Sequence, residues 1–160
     1  MASTILRSAA GRKSARQPLS KSEIMARIRS RDTKPELSTR SALHRLGYRF
    51  RVNVKSLPGT PDIAIRSRRV AIFVHGCFWH LHSGCALARV PRRNVEYWVP
   101  KLRRNSARDE ARQEQLRKLG FSVLVVWECE TANPATLEEK LSKFMMSSGL
   151  PRPKASKRSG

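Results

Sequence analysis

The hydrophobic and polar positions along the chain change their spacing several times, and each change marks an element. Residues 20–32, "SKSEIMARIRSRD", carry apolar side chains at helical spacing and predict a short helix. The next residues, "TKPELSTRSALHRLG", predict a second helix with clearer ends. Thr33 is placed to cap this helix, Glu36 to complete a capping box, and Gly47 to end it.

The segments that follow have the spacing or composition of strands. "YRFRVNV" (residues 48–54) alternates apolar and polar positions, and "DIAI" (62–65) is a short strand after a turn. "VAIFV" (70–74) and "FSVLVVW" (121–127) are apolar throughout, which is typical of strands buried on both faces. Residues 94–119 predict a long helix with Pro100 as a candidate break, and residues 133–148 predict a last helix.

The order of these elements predicts the fold class. Strands joined by short turns pair antiparallel, whereas a long helical crossover brings the fourth strand in parallel to its neighbour. The expected fold is therefore α/β, with a mixed β-sheet flanked by helices.

Charge is the feature of the composition that narrows the function. The 160 residues contain 33 Lys and Arg against 12 Asp and Glu, a formal net charge of +21. Residues 1–20 and 151–160 hold eight of the basic residues and none of the acids, so residues 21–150 alone keep an excess of 13 positive charges. Such an excess predicts binding to nucleic acid, and the alternative is an unspecific basic surface.

The ends of the chain differ in composition from its middle. Residues 1–20 are rich in Arg and Ser and resemble a transit peptide, but their apolar content is thin, and we interpret them as a disordered basic arm. Residues 21–148 form the predicted folded domain, and residues 149–160 a disordered basic tail. Three cysteines cannot all pair, and no apolar run spans a membrane, so we expect an intracellular protein.

Thiols and imidazoles are concentrated in "GCFWHLHSGC". Cys77, His82 and Cys85 lie within nine residues of one another, and Cys129 follows the last predicted strand. A Cys3His set is a common structural zinc site, and here it would use every cysteine of the chain. Bound zinc would make this loop a rigid platform. The alternative is three reduced thiols.

An acidic residue at a strand entrance is a candidate cation ligand. Asp62 starts the strand "DIAI" directly after Pro61, and carboxylates are preferred ligands of Mg²⁺. The alternative is an aspartate that caps the turn. The next strand ends in "FVHG", which can bring His75 close to Asp62, while His80 is free of the zinc set and could activate water with Asp109 as its partner.

The motifs resemble those of a known family. "SRDTKPE", "LPGTPDIAI", "IFVHGCFWHLHSGC", "EYW", "RN...RD" and "LVVWEC" occur in the order found in the very short patch repair (Vsr) DNA mismatch endonucleases, from about Ile24 to Glu130. The resemblance implies a restriction-endonuclease-like core. It also implies a nick in one strand, 5′ to the thymine of a T:G mispair left by deamination of 5-methylcytosine, which starts very short patch repair.

The resemblance further implies the site residues. Asp62 and the main-chain carbonyl of Val74 would bind catalytic Mg²⁺, and His80 would be the catalytic histidine with Asp109 as its partner. The remaining active-site positions are Glu36 and His75. Structural Zn²⁺ would be held by Cys77, His82, Cys85 and Cys129. The aromatic residues inserted into DNA beside the mispair would be Phe78, Trp79 and Trp98, and the alternative for these rings is core packing.

The same resemblance implies the partners. The substrate would be double-stranded DNA with a T:G mispair inside the recognition sequence of a cytosine-5 DNA methyltransferase, with a link to repair proteins. We expect a monomer that acts in the cytoplasm at the nucleoid.

Two rival functions follow from the same residues. One is a restriction-type nuclease with the same core that cuts intact sites or another lesion. The other is a zinc-stabilised DNA-binding protein without catalysis, which would not need an acid such as Asp62 facing phosphates or a free imidazole such as His80.

Overall fold

The computed structural model describes residues 31–151 and residue 153 of the chain. The predicted arm (residues 1–20) and all but the end of the predicted first helix lie outside these residues, as does most of the predicted tail. The helices and strands are α1 (Lys34–Arg45), β1 (Arg51–Val52), β2 (Ile63–Ile65), β3 (Val70–His75), α2 (Val95–Lys118), β4 (Ser122–Trp127) and α3 (Pro134–Ser147). Short 3-10 helices lie at Arg66–Arg68, Ala86–Ala88 and Glu128–Ala132.

The four strands form one mixed sheet in the order β1-β2-β3-β4. β1 pairs antiparallel with β2, and β2 pairs antiparallel with β3. β3 and β4 are parallel, in a register that runs from Val70 opposite Ser122 to His75 opposite Trp127. The connection between them is α2, as the pattern of apolar positions predicts. The predicted α/β fold is confirmed.

Both faces of the sheet are covered, which explains why β3 is apolar throughout. Ile63 and Ile72 pack in the main core with residues of α1 and α3, such as Leu43 and Leu141. On the opposite face, Ala71 and Phe73 pack against Leu116 of α2. Because side chains alternate along a strand, His75 lies on the face of Phe73, toward α2.

Two elements differ from the pattern-based prediction. The strand predicted over residues 48–54 is reduced to Arg51–Val52, because Asn53 adopts a left-handed conformation (φ 49°) that interrupts the extended chain. Val52, predicted to face the core, is 45% exposed on this edge strand. α2 runs through Pro100 without a break. Pro100 lies in the second turn, where its missing N–H removes a single bond near the helix start.

The ends of α1 and α3 show how far the packed region extends. Gly47 follows α1 with φ 87°, as predicted for a residue that ends a helix. Asn133 caps α3 by accepting the N–H groups of Ala135 and Thr136. The packed part continues past residue 148, because Leu150 contacts the main core and its carbonyl accepts the Tyr48 hydroxyl at 2.9 Å.

Among the described residues, none of the helices is long and apolar enough to cross a bilayer.

Candidate active site and metal site

The antiparallel pairing of β2 and β3 brings Asp62 and Val74 together. Asp62 directly precedes β2, and its carboxylate accepts the Val74 N–H at 2.7 Å. In an extended strand the N–H and C=O of one residue point to the same side, so the Val74 carbonyl is directed to this edge as well. The carboxylate of Asp62 and the main-chain oxygen of Val74 are therefore suitable ligands for one hard cation.

The environment of Asp62 lacks a full counter-charge. The pKa of Asp62 is raised to about 6, chiefly by burial; the Val74 N–H and the charge of Arg40 oppose this rise, and the negative charge of Glu36 adds to it. A carboxylate in this setting gains from a bound cation, because the cation compensates the charge that burial disfavours. This electrostatic property fits a Mg²⁺ site.

Glu36 is buried beside Asp62, and its contacts differ from the predicted capping box. Its carboxylate accepts the Thr33 hydroxyl at 2.8 Å and the Asp32 N–H at 3.0 Å, and pairs with Arg40 at 2.9 Å. The Thr33 side chain makes no cap hydrogen bond, so the capping-box prediction is wrong. The hydroxyl donates a charge-assisted hydrogen bond to one oxygen of the Glu36 carboxylate, whose other oxygen accepts the Asp32 N–H and pairs with Arg40.

A histidine and an aspartate meet where the loop after β3 approaches α2. His80 Nδ1 lies 2.5 Å from Asp109 Oδ2. Burial alone would raise the pKa of Asp109, but the hydrogen bond and positive charge of His80 lower it overall. Asp109 therefore stays ionised, which holds the proton on Nδ1 and leaves Nε2 of His80 as the ring nitrogen that can exchange a proton.

His75 lies beneath this pair. Its ring stacks on His80 with centroids 4.0 Å apart and an interplanar angle of 12°. The pKa of His75 is lowered to about 4, chiefly by burial and also by the neighbouring charge of His80, while Asp109 opposes the shift. His75 is thus a neutral ring at physiological pH and supports the His80 imidazole from one face. An open cleft of about 260 Å³ lies beside these groups. Its other lining residues are Ser106, Glu110, Gln113, Val125 and Trp127.

The three cysteines and His82 form one cluster in the fold. The ligand atoms of Cys77, His82, Cys85 and Cys129 all lie within 4.8 Å of one another. His82 Nδ1 is 3.5 Å from Cys77 Sγ and 3.4 Å from Cys129 Sγ. Tetrahedral zinc with bonds of about 2.3 Å to sulfur and about 2.0 Å to nitrogen separates such atoms by roughly 3.5 Å. The donor set and its dimensions fit zinc.

The two imidazoles of the loop point to different partners. His82 faces the thiols through Nδ1, whereas Nδ1 of His80 faces Asp109. The loop meets the segment after β4, where Cys129 Sγ lies 3.4 Å from His82 Nδ1 and the carboxylate of Glu128 accepts the Cys77 N–H at 3.2 Å. Burial raises the pKa of the Cys77 thiol to about 12, so metal binding at this cluster must release protons.

The three aromatic residues singled out from the sequence form one block. Phe78 lies 5.0 Å from Trp79 and 5.4 Å from Trp98 between ring centroids, and all three contacts are edge-to-face. All three side chains are partly exposed, and none belongs to either core cluster. Trp79 packs closely on Gly76, where an added Cβ would lie 3.3 Å from the indole. The block therefore lies outside the two core clusters.

Three residues at these sites were not predicted. Arg40 pairs with Glu36, and its Nε is buried without a hydrogen-bond partner within the described chain. Lys101 Nζ lies 5.4 Å from the centre of the Trp98 ring. The ring of Trp127 contacts the rings of both His75 and His82. For Arg40 and Lys101 a signal existed in the spacing, since each lies one helical turn after a singled-out residue. Trp127 is the last residue of β4, and no comparable spacing pointed to it.

Loss of one cluster ligand tests the metal site. We expect Cys129→Ser to lower zinc content and thermal stability together, because binding of a structural metal contributes free energy of folding. Metal analysis and thermal denaturation of the purified protein measure both, with Ser122→Ala on β4 as the control. Wild-type protein that contains no zinc when purified without chelators would contradict the assignment.

Comparisons with known proteins agree on one family. A family model described as DNA mismatch endonuclease Vsr matches residues 15–87. The type II nicking enzyme V.XorIIP of Xanthomonas oryzae pv. oryzae is 47% identical over 122 residues, which cover 76% of this chain and 89% of that protein. The type II nicking enzyme V.NmeAIP of Neisseria meningitidis is 40% identical over 125 residues, 78% of this chain and 89% of that protein. The DNA mismatch endonuclease Vsr of Escherichia coli is 40% identical over 134 residues, 81% and 85% of the two chains.

Proposed function

The chain belongs to the Vsr family of DNA mismatch endonucleases, and on this premise we propose that it nicks one DNA strand 5′ to the thymine of a T:G mispair, with Mg²⁺ as the catalytic ion. It is a DNA endonuclease with the restriction-endonuclease-like α/β core of that family. The names of two relatives describe nicking enzymes, which supports cleavage of a single strand here.

One observation supports mispair recognition most strongly. The loop that carries His80 also carries Phe78 and Trp79 and three members of the Cys3His cluster. A T:G wobble keeps its hydrogen bonds but stacks less well than a matched pair, so a protein that opens the base step deforms the mispair more cheaply. Inserted apolar side chains do this at a cost of a few kcal/mol per step. The position of the rings on the same loop as His80 supports a role for them at the mispair.

Discrimination between a mispair and a matched pair requires that the rings be rigid before DNA binds. If the rings had to be ordered on binding, the entropy of ordering would offset the small stacking difference between a mispair and a matched pair. The zinc ligands would fix the ends of the loop, and the edge-to-face contacts with Trp98 support Phe78 and Trp79 from α2. The metal cluster therefore serves recognition, and the Asp62 site serves cleavage.

The proposed chemistry is hydrolysis of a phosphodiester. Asp62 and the Val74 carbonyl would hold Mg²⁺, which supplies Lewis acidity toward the scissile phosphate. His80 Nε2 takes the proton of the attacking water as the water oxygen bonds to phosphorus, and the ionised carboxylate of Asp109 stabilises the imidazolium that results. The bond from phosphorus to the sugar oxygen breaks, and that oxygen leaves and takes a proton from solvent. His75 stacks on His80 and limits its rotation, while Glu36 adds negative charge next to the cation site.

The wider biological role follows from this substrate. T:G mispairs arise where 5-methylcytosine deaminates, so a cytosine-5 methyltransferase would define the sequences in which the enzyme acts and repair proteins would use the nick. We propose a monomer that works in the cytoplasm at the nucleoid. Basic residues in the arm (1–20) and the tail (149–160) would add phosphate contacts to those of the domain over residues 21–148.

A nicking assay over a panel of duplexes tests the proposal. The panel pairs T:G with T:A and C:G in several flanking sequences, each with Mg²⁺ and without it. We expect one-strand cleavage of T:G duplexes in the presence of Mg²⁺ and intact matched duplexes. Cleavage of matched sites at the same rate would support the restriction-type alternative, and binding without cleavage would support a binding protein.

Trp79→Ala tests the aromatic block. We expect this change to reduce nicking of T:G duplexes far more than it reduces thermal stability or binding to matched DNA, because the rings act on the mispair and lie outside both core clusters. A 2-aminopurine base beside the mispair should brighten with wild type and much less with the variant. Leu87→Ala, which also removes exposed apolar surface, is the control.

Two observations together would contradict this role of the aromatic block. If Trp79→Ala unfolds the protein, and wild type leaves 2-aminopurine fluorescence unchanged, the rings pack the core and do not enter the DNA.

A further inference from the structure

Trp127 lies between the metal cluster and the catalytic imidazoles. Its indole stacks on His82 with centroids 4.2 Å apart and an interplanar angle of 5°. The same indole meets His75 edge-on, at 5.4 Å and 76°. His75 in turn stacks on His80. A continuous series of four rings therefore connects a ligand of the Cys3His cluster to the proposed proton-transfer group.

We infer that Trp127 is a positioning residue that couples the metal-bound state of His82 to the orientation of His75 and His80. The inference rests on the proposed function for its effect on cleavage. It assigns the metal cluster a second role besides holding the loop. Through Trp127, the cluster also holds the catalytic imidazoles in place.

The main chain of Trp127 is fixed independently of its ring contacts. It ends β4 opposite His75 in the parallel ladder, and its N–H donates to the Glu130 carboxylate at 2.8 Å. Lys140 of α3 holds Glu130 through both carboxylate oxygens, at 2.7 and 2.6 Å. Since the backbone is held in place, the freedom that remains to Trp127 is rotation of its side chain, and His82 limits that rotation from one face.

The contacts of the neighbouring rings explain how freer rotation of the Trp127 side chain would disturb His75 and His80. His75 is 6% exposed, and its side chain is confined by Phe73, His80 and Trp127. If the indole turns away, the edge contact with His75 is lost, and His75 gains room to rotate into the cleft that Trp127 also lines. His80 then loses the fixed face on which it stacks. Close packing transmits such small displacements because few voids absorb them.

A ligand exchange at the cluster separates metal retention from ring contact. His82→Cys creates a four-cysteine set, which also binds zinc, but removes the ring that stacks on Trp127. We expect one zinc per chain, as in wild type, unchanged affinity for T:G duplexes, unchanged brightening of 2-aminopurine, and kcat lowered about ten- to hundredfold. Trp127→Leu should lower kcat to a similar degree, and Trp127→Phe, which keeps a ring, should lower it less.

The double variant tests whether the two residues act in series. His82→Cys combined with Trp127→Leu should be no slower than the slower single variant, because both changes remove the same contact. Multiplied effects on kcat, or a His82→Cys protein that holds zinc and nicks at the wild-type rate, would overturn the coupling.

A measurement on the DNA-free protein is independent of nicking. In aromatic proton–carbon spectra, the His75 ring signals carry a ring-current shift from Trp127. We expect these signals to move in zinc-loaded His82→Cys, although His82 does not touch His75. Unchanged His75 signals would refute the inference even if wild type cleaves T:G duplexes as proposed. Moved signals would uphold the coupling even if the substrate were a different one.

Discussion

Asp62→Asn is expected to abolish nicking of T:G duplexes while the variant still folds and still binds them. The amide matches the carboxylate in shape and can accept the same Val74 N–H, so the end of β3 keeps its position. The amide has no negative charge, and a cation at this edge of the sheet loses its charged ligand. Single-turnover nicking and binding to the same duplex, both with Mg²⁺, measure the two effects separately.

The raised pKa of Asp62 makes the free energy of unfolding depend on pH. The pKa is about 6 in the folded chain against an ordinary value of 3.8, so stability falls as pH rises between these values. The difference corresponds to roughly 3 kcal/mol at neutral pH as an upper bound. Without Mg²⁺, Asp62→Asn should therefore unfold at a higher temperature than wild type at pH 7, and at nearly the same temperature near pH 4.

Glu114→Gln is the matched control for charge. Glu114 is exposed on α2, where it pairs with Arg117, and the change removes one negative charge. We expect this variant to nick and to unfold as wild type does. Near-normal nicking by Asp62→Asn would contradict the assignment of the catalytic carboxylate, whatever its effect on stability.

His80→Ala is expected to slow nicking by roughly 10²–10⁴-fold without loss of zinc. The variant removes the ring nitrogen that exchanges the proton, but it leaves the four cluster ligands in place. Asp109→Asn should slow the same step, because the amide no longer stabilises a charged imidazole at 2.5 Å. Rates under single-turnover conditions with saturating Mg²⁺ measure the chemical step.

Zinc content distinguishes the roles of the two histidines in the loop. His80→Ala should retain zinc and lose rate, whereas His82→Ala should lose zinc and thermal stability. His44→Ala, at an exposed position on α1, is the control for loss of an imidazole and should change neither the zinc content nor the nicking rate. If His80→Ala instead releases zinc, the two imidazoles have exchanged roles.

Much of the fold follows from local pattern. The apolar runs of β3 and β4 and the long polar helix between them require a parallel pair with a crossover, and the register of Val70 to His75 against Ser122 to Trp127 agrees. Turn chemistry placed Gly47 and Asn133 correctly at helix ends. These features depend on neighbours within a few residues, which the sequence states directly.

The sequence also predicted the grouping of the candidate metal ligands. Cys77, His82 and Cys85 are close along the chain, and the position of Cys129 after a strand parallel to β3 brings it to the same end of the sheet. The candidate pair His80 and Asp109 was suggested by residue type and resemblance. Their separation of 2.5 Å was beyond the sequence, because it depends on how the loop lies on α2.

The sequence by itself determined the element order, the charge and the residues capable of chemistry, because these depend on composition and short-range spacing. Only the tertiary structure decided which of several available groups each of these side chains contacts. Thr33 could have accepted a backbone N–H at the start of α1, but its hydroxyl donates to the buried carboxylate of Glu36, which Arg40 holds in place. His80 and His82 are equivalent by residue type, and the packing of the loop between α2 and β4 directs one to Asp109 and the other to the thiols. Trp127 acquires its place between them because β3 and β4 align it opposite His75, 52 residues earlier in the chain.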